Sequence, residues 1–104
     1  MRELSRRVNT MEKRRVKVIN PQGFHMRPAG VFAGALAKYE CDITIRHNGR
    51  DVNAKSLMNL IAACIKCGSE IEIICEGRES KGIAEEKAAL EEACSMIESG
   101  LGEL

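Results

Sequence analysis

The 104-residue sequence predicts an α+β fold, an open-faced two-layer sandwich in which three helices cover one face of a four-stranded antiparallel sheet. Two observations predict this fold. Four short segments alternate apolar and polar residues, as strands with one buried face do, and three segments carry the apolar period of amphipathic helices. The segments follow one another in the order β-α-β-β-α-β-α. One-sided strands need a cover for their apolar face, and three helices can supply it.

The four strands are predicted from their alternation. RVKVIN, from Arg15, places Val16 and Val18 on one face of the first strand. CDITIR and RDVN form the second and third strands, joined by Asn48-Gly49, a dipeptide that strongly favours a type I′ hairpin turn. EIEIICEG alternates apolar residues with glutamates and predicts the fourth strand.

Three helices are predicted, over residues 28–39, 55–67 and 81–98. The second is apolar at nearly every position, and a domain of this size cannot bury such a helix completely, so we expect it to expose an apolar patch. Ser56 suits its N-cap and Gly68 its C-terminal stop. The predicted inner face of the third helix consists of Ile83, Leu90, Ala93, Cys94 and Ile97.

Composition limits the possible functions. A net charge of +1 and 3% aromatic residues argue against direct nucleic-acid binding. No apolar run reaches the ~20 residues of a membrane span, and the basic start lacks the apolar stretch of a secretory signal, so a cytoplasmic protein without membrane insertion is expected. The five cysteines are then expected to be reduced thiols, those in strands and helices serving as small core residues.

The first residues carry no apolar period. Residues 1–13 are therefore expected to form a disordered N-terminal extension, and residues 14–104 the folded domain. Either Met1 or Met11 could be the translation start.

The stretch GFHMRPAG places His25 between the first strand and the first helix. Pro28 suits the first helical turn, where its missing N–H costs nothing, so the imidazole is expected beside a helix N-terminus. Free N–H groups and the helix dipole favour an anion there, and Arg27 adds a fork suited to phosphate. Both positive groups are expected to keep His25 neutral and nucleophilic near pH 7. These residues suit a transient phosphohistidine, but they are also compatible with an ordinary surface histidine.

Three motifs follow one another along the chain: GFHMRPAG, AKSLMNL and the closing GLGE. With these motifs in the matching order, the sequence resembles the HPr family, the phosphocarriers of the bacterial phosphoenolpyruvate-dependent sugar phosphotransferase system. The resemblance covers about residues 16–104. It implies that His25 accepts phosphate from the general energy-coupling enzyme of that system and passes it to sugar-specific permease A domains. Arg27 would stabilise the transferred group. The partner-docking residues implied by the resemblance are Met26, Gly30, Leu57, Met58 and Ile61.

Ser56 has two compatible interpretations. As an N-cap it contributes ~1 kcal/mol to its helix. The resemblance to Gram-positive members of the HPr family implies regulatory phosphorylation by an ATP-dependent serine kinase/phosphorylase, which weakens phosphate entry at His25 and promotes binding to a catabolite-control transcription factor. Two positions depart from the family pattern: Met26 replaces a small residue and Asn59 replaces a glycine.

Two other functions remain open, an HPr-like regulatory protein acting mainly through Ser56 and a redox or metal module built on Cys64 and Cys67. The Cys64–Cys67 pair has no second pair or histidines at ligand spacing, so neither a metal nor a cofactor is expected. His47, before the hairpin turn, is expected to be exposed. The chain is expected to be a monomeric carrier rather than a stand-alone catalyst.

Overall fold

The computed structural model describes residues 11–77 and 82–103, and it confirms the predicted fold class and element order. The elements are β1 (Met11–Lys17), α1 (Met26–Leu36), β2 (Asp42–His47), β3 (Arg50–Asn53), α2 (Leu57–Ala63), β4 (Glu70–Glu76) and α3 (Gly82–Glu98). The strands form one antiparallel sheet in the order β1-β4-β2-β3. The first strand therefore pairs with the last, and the hairpin of β2 and β3 lies at the opposite edge.

The hydrophobic core lies between the helices and one face of the sheet. Its largest fully buried apolar side chains include Phe32, Leu36, Ile43, Ile45, Leu60, Ile71, Ile73 and Ile97. Charged side chains occupy the other face, where Arg46 Nη1 lies 3.9 Å from Glu72 Oε1 and Lys13 Nζ lies 4.0 Å from Glu72 Oε2. That face carries no helix among the described residues, so the sandwich is open there.

Two predicted features are confirmed closely. Asn48 and Gly49 have φ angles of 53° and 79°, the left-handed values that a type I′ turn requires at both positions. In α3 the predicted inner residues are buried, with Ala93, Cys94 and Ile97 fully so. The side chain of Ile83 lies outside the described residues.

The first strand begins at Met11, earlier than predicted. Met11 pairs with Glu76 and Lys13 with Ile74. The prediction that residues 1–13 form a disordered extension is therefore wrong for residues 11–13, which belong to the sheet. Sequence alternation missed them because an edge strand needs backbone pairing more than an apolar face. Charge supports the pairing, since basic β1 lies beside acidic β4 and Arg15 Nη2 lies 3.7 Å from Glu70 Oε1. Residues 1–10 lie outside the described part.

The first helix spans Met26–Leu36 rather than residues 28–39. It starts earlier because His25 is its N-cap. It ends earlier because Tyr39 belongs to the following turn: its N–H donates to the carbonyl of Leu36 (3.2 Å) and its hydroxyl donates to Glu92 Oε1 in α3 (2.6 Å).

The second helix is also shorter than predicted, because it ends at Ala63 and Cys64 adopts a left-handed conformation with φ 54°. The turn directs Ile65 into the core, where it is 2% exposed, and its carbonyl accepts the N–H of Phe24 at 3.0 Å. Tertiary packing, not Gly68, thus stops the helix. Gly68 lies in the turn that precedes β4.

The cysteines fall into two groups, and all five are free thiols. Cys41, Cys75 and Cys94 are buried, and burial is the main cause that raises the pKa of Cys75 to about 12. Cys64 and Cys67 are exposed, so the expectation that helical cysteines are core residues is wrong for Cys64.

Within the described ranges, no helix has both the length and the apolar character needed to span a membrane.

Candidate functional site

His25 stands at the start of α1 with its side chain 36% exposed. Its backbone is extended (φ −81°, ψ −175°), and its carbonyl accepts the N–H of Ala29 at 3.0 Å, as an N-cap carbonyl does. Its side chain makes no capping bond to its own helix. The imidazole is therefore placed by the helix start but remains available for other contacts.

The loop before His25 is fixed by close packing at Gly23. This residue has φ +63°, and a Cβ there would lie 2.3 Å from the carbonyl oxygen of Ile65. Phe24 follows with its ring packed edge-on against Phe32 of α1, the centroids 5.1 Å apart. The loop is thus held from both sides, by the segment after α2 and by α1.

The imidazole contacts a carboxylate from the far end of the chain. Nε2 of His25 lies 2.8 Å from Oε2 and 3.0 Å from Oε1 of Glu103. A carboxylate only accepts hydrogen bonds, so Nε2 carries a proton in this contact. In a neutral imidazole the lone pair is then on Nδ1.

A Schellman motif at the end of α3 places Glu103. The N–H of Gly100 donates to the carbonyl of Ile97 (3.0 Å) and that of Leu101 to the carbonyl of Met96 (2.8 Å). Leu101 is only 6% exposed, and its φ of 55° turns the chain back toward the domain. The N–H of Glu103 then donates to the carbonyl of Gly100 at 2.9 Å, which directs the carboxylate to the His25 loop.

Asn20 completes the hydrogen-bond network. Its fully buried side chain donates through Nδ2 to the carbonyl of Gly23 (2.7 Å) and to Oε1 of Glu103 (2.9 Å). The donated bonds from Asn20 and then from His25 are the main causes that hold the pKa of Glu103 below its ordinary value, and the charges of His25 and Arg27 add to the effect. Glu103 is thus favoured as an anion beside the imidazole.

The N-terminus of α1 contributes positive potential to the same place. The N–H groups of Met26 and Arg27 belong to the first turn and have no intrahelical partner by helix geometry, while Pro28 has none to offer. Arg27 is exposed. The carboxylate of Glu103, which the sequence alone does not bring to this place, carries a negative charge that opposes both this dipole and Arg27.

A groove runs beside His25 between the start of α1 and the end of α2. It has a volume of about 310 Å³, and its lining includes His25, Met26, Ile61 and Cys64. The structure therefore brings two of the predicted docking residues, Met26 and Ile61, to the imidazole. Met26 is 66% exposed. The groove suits an apolar contact by whatever protein reaches the histidine.

The other predicted docking residues lie on the same two helices. Met58 is 74% exposed and stands one turn before Ile61, on the same face of α2. Leu57 is half-buried against the core. Gly30 lies on α1, and a Cβ there would meet no atom within 4 Å. The predicted exposed apolar patch on α2 is present, since only Leu60 of this helix is buried.

The family model described as "PTS HPr component phosphorylation site" matches residues 12–99. This chain belongs to the HPr family. The phosphocarrier protein HPr of Treponema pallidum (strain Nichols) is 39% identical over 62 residues, which cover 60% of this chain and 70% of that protein. The HPr-like protein Crh of Bacillus subtilis (strain 168) is 30% identical over 79 residues, 76% of this chain and 93% of Crh. A crystal structure of HPr from Thermoanaerobacter tengcongensis matches with a TM-score of 0.79 and 27% identity, over 89% of this chain and 98% of the other.

The second predicted site of this HPr-family domain is Ser56. It is the N-cap of α2, and its Oγ accepts both the backbone N–H of Asn59 (3.2 Å) and the side-chain Nδ2 of Asn59 (2.9 Å). The capping interpretation is therefore confirmed. Ser56 lies at the start of α2, whereas the His25 groove is formed by Ile61 and Cys64 at its end.

The remaining polar candidates are not assembled into a site. No group of three His, Cys, Asp or Glu side chains within residues 11–77 and 82–103 is placed to hold a metal ion. The Sγ of Cys64 lies 3.8 Å from the carbonyl of Ile61, while that of Cys67 lies 3.6 Å from the carbonyl of Ile19. His47 is half-buried in β2, opposite Arg50, rather than fully exposed.

Two residues of the hydrogen-bond network around His25, Glu103 and Asn20, were not predicted from the sequence. The closing GLGE motif was a signal for the first, but nothing in its spacing shows that the chain folds back on His25. Asn20 precedes Pro21, and this position predicts only the end of a strand before a turn.

Proposed function

We propose that the protein is a phosphocarrier in which Nδ1 of His25 accepts a phosphoryl group from the general energy-coupling enzyme of the phosphoenolpyruvate-dependent sugar phosphotransferase system and passes it to permease A domains. The contact between His25 Nε2 and Glu103 carries this proposal. It places the proton on the ring nitrogen that faces the protein and leaves the lone pair on the other. Membership of the HPr family supports the phosphocarrier role.

The transfer step needs no proton from another group. The Nδ1 lone pair of His25 attacks phosphorus, and the phosphorus–nitrogen bond to the donor histidine breaks, returning its electron pair to the donor ring. The His25 ring gains positive charge, which the Glu103 carboxylate stabilises through the proton on Nε2. Transfer to an acceptor histidine reverses these changes.

Arg27 and the first turn of α1 would stabilise the phosphoryl group. Backbone N–H groups of Met26 and Arg27 offer donors to its oxygens, and the Arg27 guanidinium offers a fixed positive charge. Since Arg27 is exposed, it remains free to move toward the group. This arrangement suits a carrier, which must stabilise the transferring group without retaining it.

Labelling tests the proposal directly. Wild type incubated with phosphoenolpyruvate and the general enzyme should acquire an acid-labile phosphate, and His25→Ala should acquire none. His47→Ala is the matched control, because it removes the other histidine of the chain, far along the sequence in β2, and should label like wild type. An unlabelled wild type would refute the carrier proposal, and labelling of His25→Ala would refute the site.

The groove beside His25 supports a docking proposal for the same partners. The general enzyme and the permease A domains would contact the same five residues, Met26, Gly30, Leu57, Met58 and Ile61. The exposed Met26 offers an adaptable apolar contact beside the imidazole, and the exposed Met58 offers another on α2. We propose that the carrier works as a cytoplasmic monomer, so that both partners can use this surface in turn; sedimentation at working concentration should give a single species of 11.5 kDa.

A second function is favoured by a different observation. Crh is an HPr-like protein similar to this chain, and Ser56 is a half-buried residue that caps α2. We propose that a serine kinase/phosphorylase modifies Ser56, that the added charge hinders docking at the neighbouring apolar patch, and that the product binds a catabolite-control transcription factor.

ATP and the serine kinase test this regulatory function. Wild type should acquire an acid-stable phosphate and Ser56→Ala should not, with Ser69→Ala as a control in the connection between the end of α2 and β4. Equal labelling of Ser56→Ala and wild type would exclude Ser56. A regulatory protein that acts only through Ser56 would show this label and none at His25.

A further inference from the structure

Asn20 has a polar side chain with no exposed surface, and its amide donates a hydrogen bond to Glu103. Its amide nitrogen uses both hydrogens, one for the carbonyl of Gly23 and one for Oε1 of Glu103. It therefore joins the loop that carries His25 to the turn that follows α3. Among the described residues, no backbone hydrogen bond joins these two segments.

The orientation of the Asn20 amide follows from its neighbours. Both groups near Nδ2 are acceptors, a carbonyl and a carboxylate, so the reverse orientation would place Oδ1 against two oxygens. Oδ1 is buried and has no hydrogen-bond partner among residues 11–77 and 82–103. Burial of an unpaired amide oxygen destabilises a fold, so stability alone does not account for an asparagine here.

We propose that Asn20 is a positioning residue for phosphoryl transfer, which holds Glu103 against Nε2 of His25 and thereby keeps Nδ1 as the nucleophile. This proposal rests on the proposed function. Asn20 acts through Glu103 and does not touch the imidazole. By also binding the Gly23 carbonyl, it holds the histidine loop and the carboxylate at a fixed separation.

Removal of the amide should free the carboxylate to rotate. Glu103 would then keep its backbone hydrogen bond to Gly100 but lose the donor that orients Oε1. The imidazole would sample both tautomers and more than one ring orientation. We expect Asn20→Ala to lower the rate of His25 phosphorylation by about tenfold, as loss of orienting partners does at metal-binding histidines. Nitrogen chemical shifts of His25 should move from one Nε2-protonated form toward a mixture.

A double-mutant cycle distinguishes positioning from general stability. If Asn20 acts through Glu103, then Asn20→Ala should lower the phosphorylation rate in wild type but add little in a Glu103→Gln background. Asn20→Asp keeps the size but sets a carboxylate against Glu103, so it should lower the rate at least as much as Asn20→Ala. Equal losses from Asn20→Ala in both backgrounds, with unchanged His25 nitrogen shifts, would overturn the proposal.

A measurement on the wild-type protein covers the case in which these variants do not fold. The side-chain amide protons of Asn20 should be shifted and should titrate in acid together with the Glu103 carboxyl, because one of them is donated to that group. Chemical shifts of the Asn20 amide protons that stay constant while Glu103 titrates would overturn the proposal. If wild type accepts no phosphate, the phosphocarrier function fails, while this titration still decides whether Asn20 holds Glu103.

Discussion

Nε2 of His25 lies 2.8 Å from Oε2 of Glu103, a residue 78 positions further along the chain. This contact decides which ring nitrogen is free, and it links the start of the first helix to the turn after the last. The candidate site is therefore a product of the whole fold and not of the GFHMRPAG stretch alone.

Acid should release the contact between His25 and Glu103. The pKa of Glu103 is lowered in the folded protein, chiefly by the bonds from Asn20 and His25, so its ionised form is favoured by folding. The stabilisation is present above the ordinary glutamate value of about 4.3 and is lost as pH falls through the lower folded value. Urea unfolding from pH 6 to pH 2 should show this loss in wild type and a smaller one in Glu103→Gln. Identical pH profiles would contradict the prediction.

Loss of the Ser56 cap should destabilise α2. Ser56→Ala removes the acceptor for two donors from Asn59 and should lower the free energy of unfolding by about 1 kcal/mol. Asn59→Ala serves as the control, since it removes only the side-chain donor and should cost less. Denaturant titration measures both variants, and an undiminished stability of Ser56→Ala would show that the cap is unimportant.

Gly23 and Gly68 offer a matched pair of glycine substitutions. Both have positive φ, +63° and +90°, but a Cβ at Gly23 meets the Ile65 carbonyl at 2.3 Å while one at Gly68 meets nothing within 4 Å. Gly68→Ala should cost about 1–2 kcal/mol from backbone strain, and Gly23→Ala about 1–3 kcal/mol more from the clash. Chemical denaturation compares the two. Equal costs would mean that the loop relaxes freely.

Truncation of Met58 should weaken partner docking without affecting the fold. Met58 is 74% exposed, so Met58→Ala should leave the unfolding free energy nearly unchanged. We expect the KM of the general enzyme for this carrier to rise about fivefold, which corresponds to a loss of about 1 kcal/mol on truncation of an interface residue. Met11→Ala, at an exposed methionine on the edge strand, is the control and should not change KM. Equal KM values for the two variants would remove Met58 from the docking surface.

The single tyrosine provides a test of the packing between α1 and α3. The hydrogen bond from Tyr39 to Glu92 is the main cause that raises the pKa of Tyr39 to about 12, from an ordinary value of about 10. Its contribution to stability is complete below pH 10 and is lost as pH rises through 12. Absorbance at 295 nm should titrate near pH 12, and Glu92→Gln should lower that midpoint. A midpoint near 10 in wild type would mean that the bond is absent in solution.

Sequence patterns predicted the parts of this fold that depend on local periodicity and turn chemistry. The Asn48-Gly49 turn, the inner face of α3 and the capping of α2 by Ser56 all follow from local rules. The C-terminal end of α2 does not follow from local rules, because the left-handed conformation of Cys64 is associated with packing of Ile65 against the His25 loop. Its end is set by tertiary packing.

The candidate site was likewise predictable only where it depends on local sequence. The position of His25 at a helix start could be read from Pro28 and its neighbours. The roles of Glu103 and Asn20 could not, because their contacts depend on the left-handed conformation of Leu101 and on burial. Neither the left-handed conformation nor the burial can be recognised from a periodic pattern in the sequence.

The Schellman motif and the buried Leu101 also have a consequence for the order of events in folding. A contact over such a sequence separation requires closure of nearly the whole chain as one loop, which is slow compared with formation of a helix or hairpin. A chain in which α3 has not docked lacks Glu103 beside the imidazole, so this contact cannot then distinguish the two ring nitrogens of His25. In the proposed phosphocarrier, phosphorylation at a single ring nitrogen would therefore report that α3 has docked.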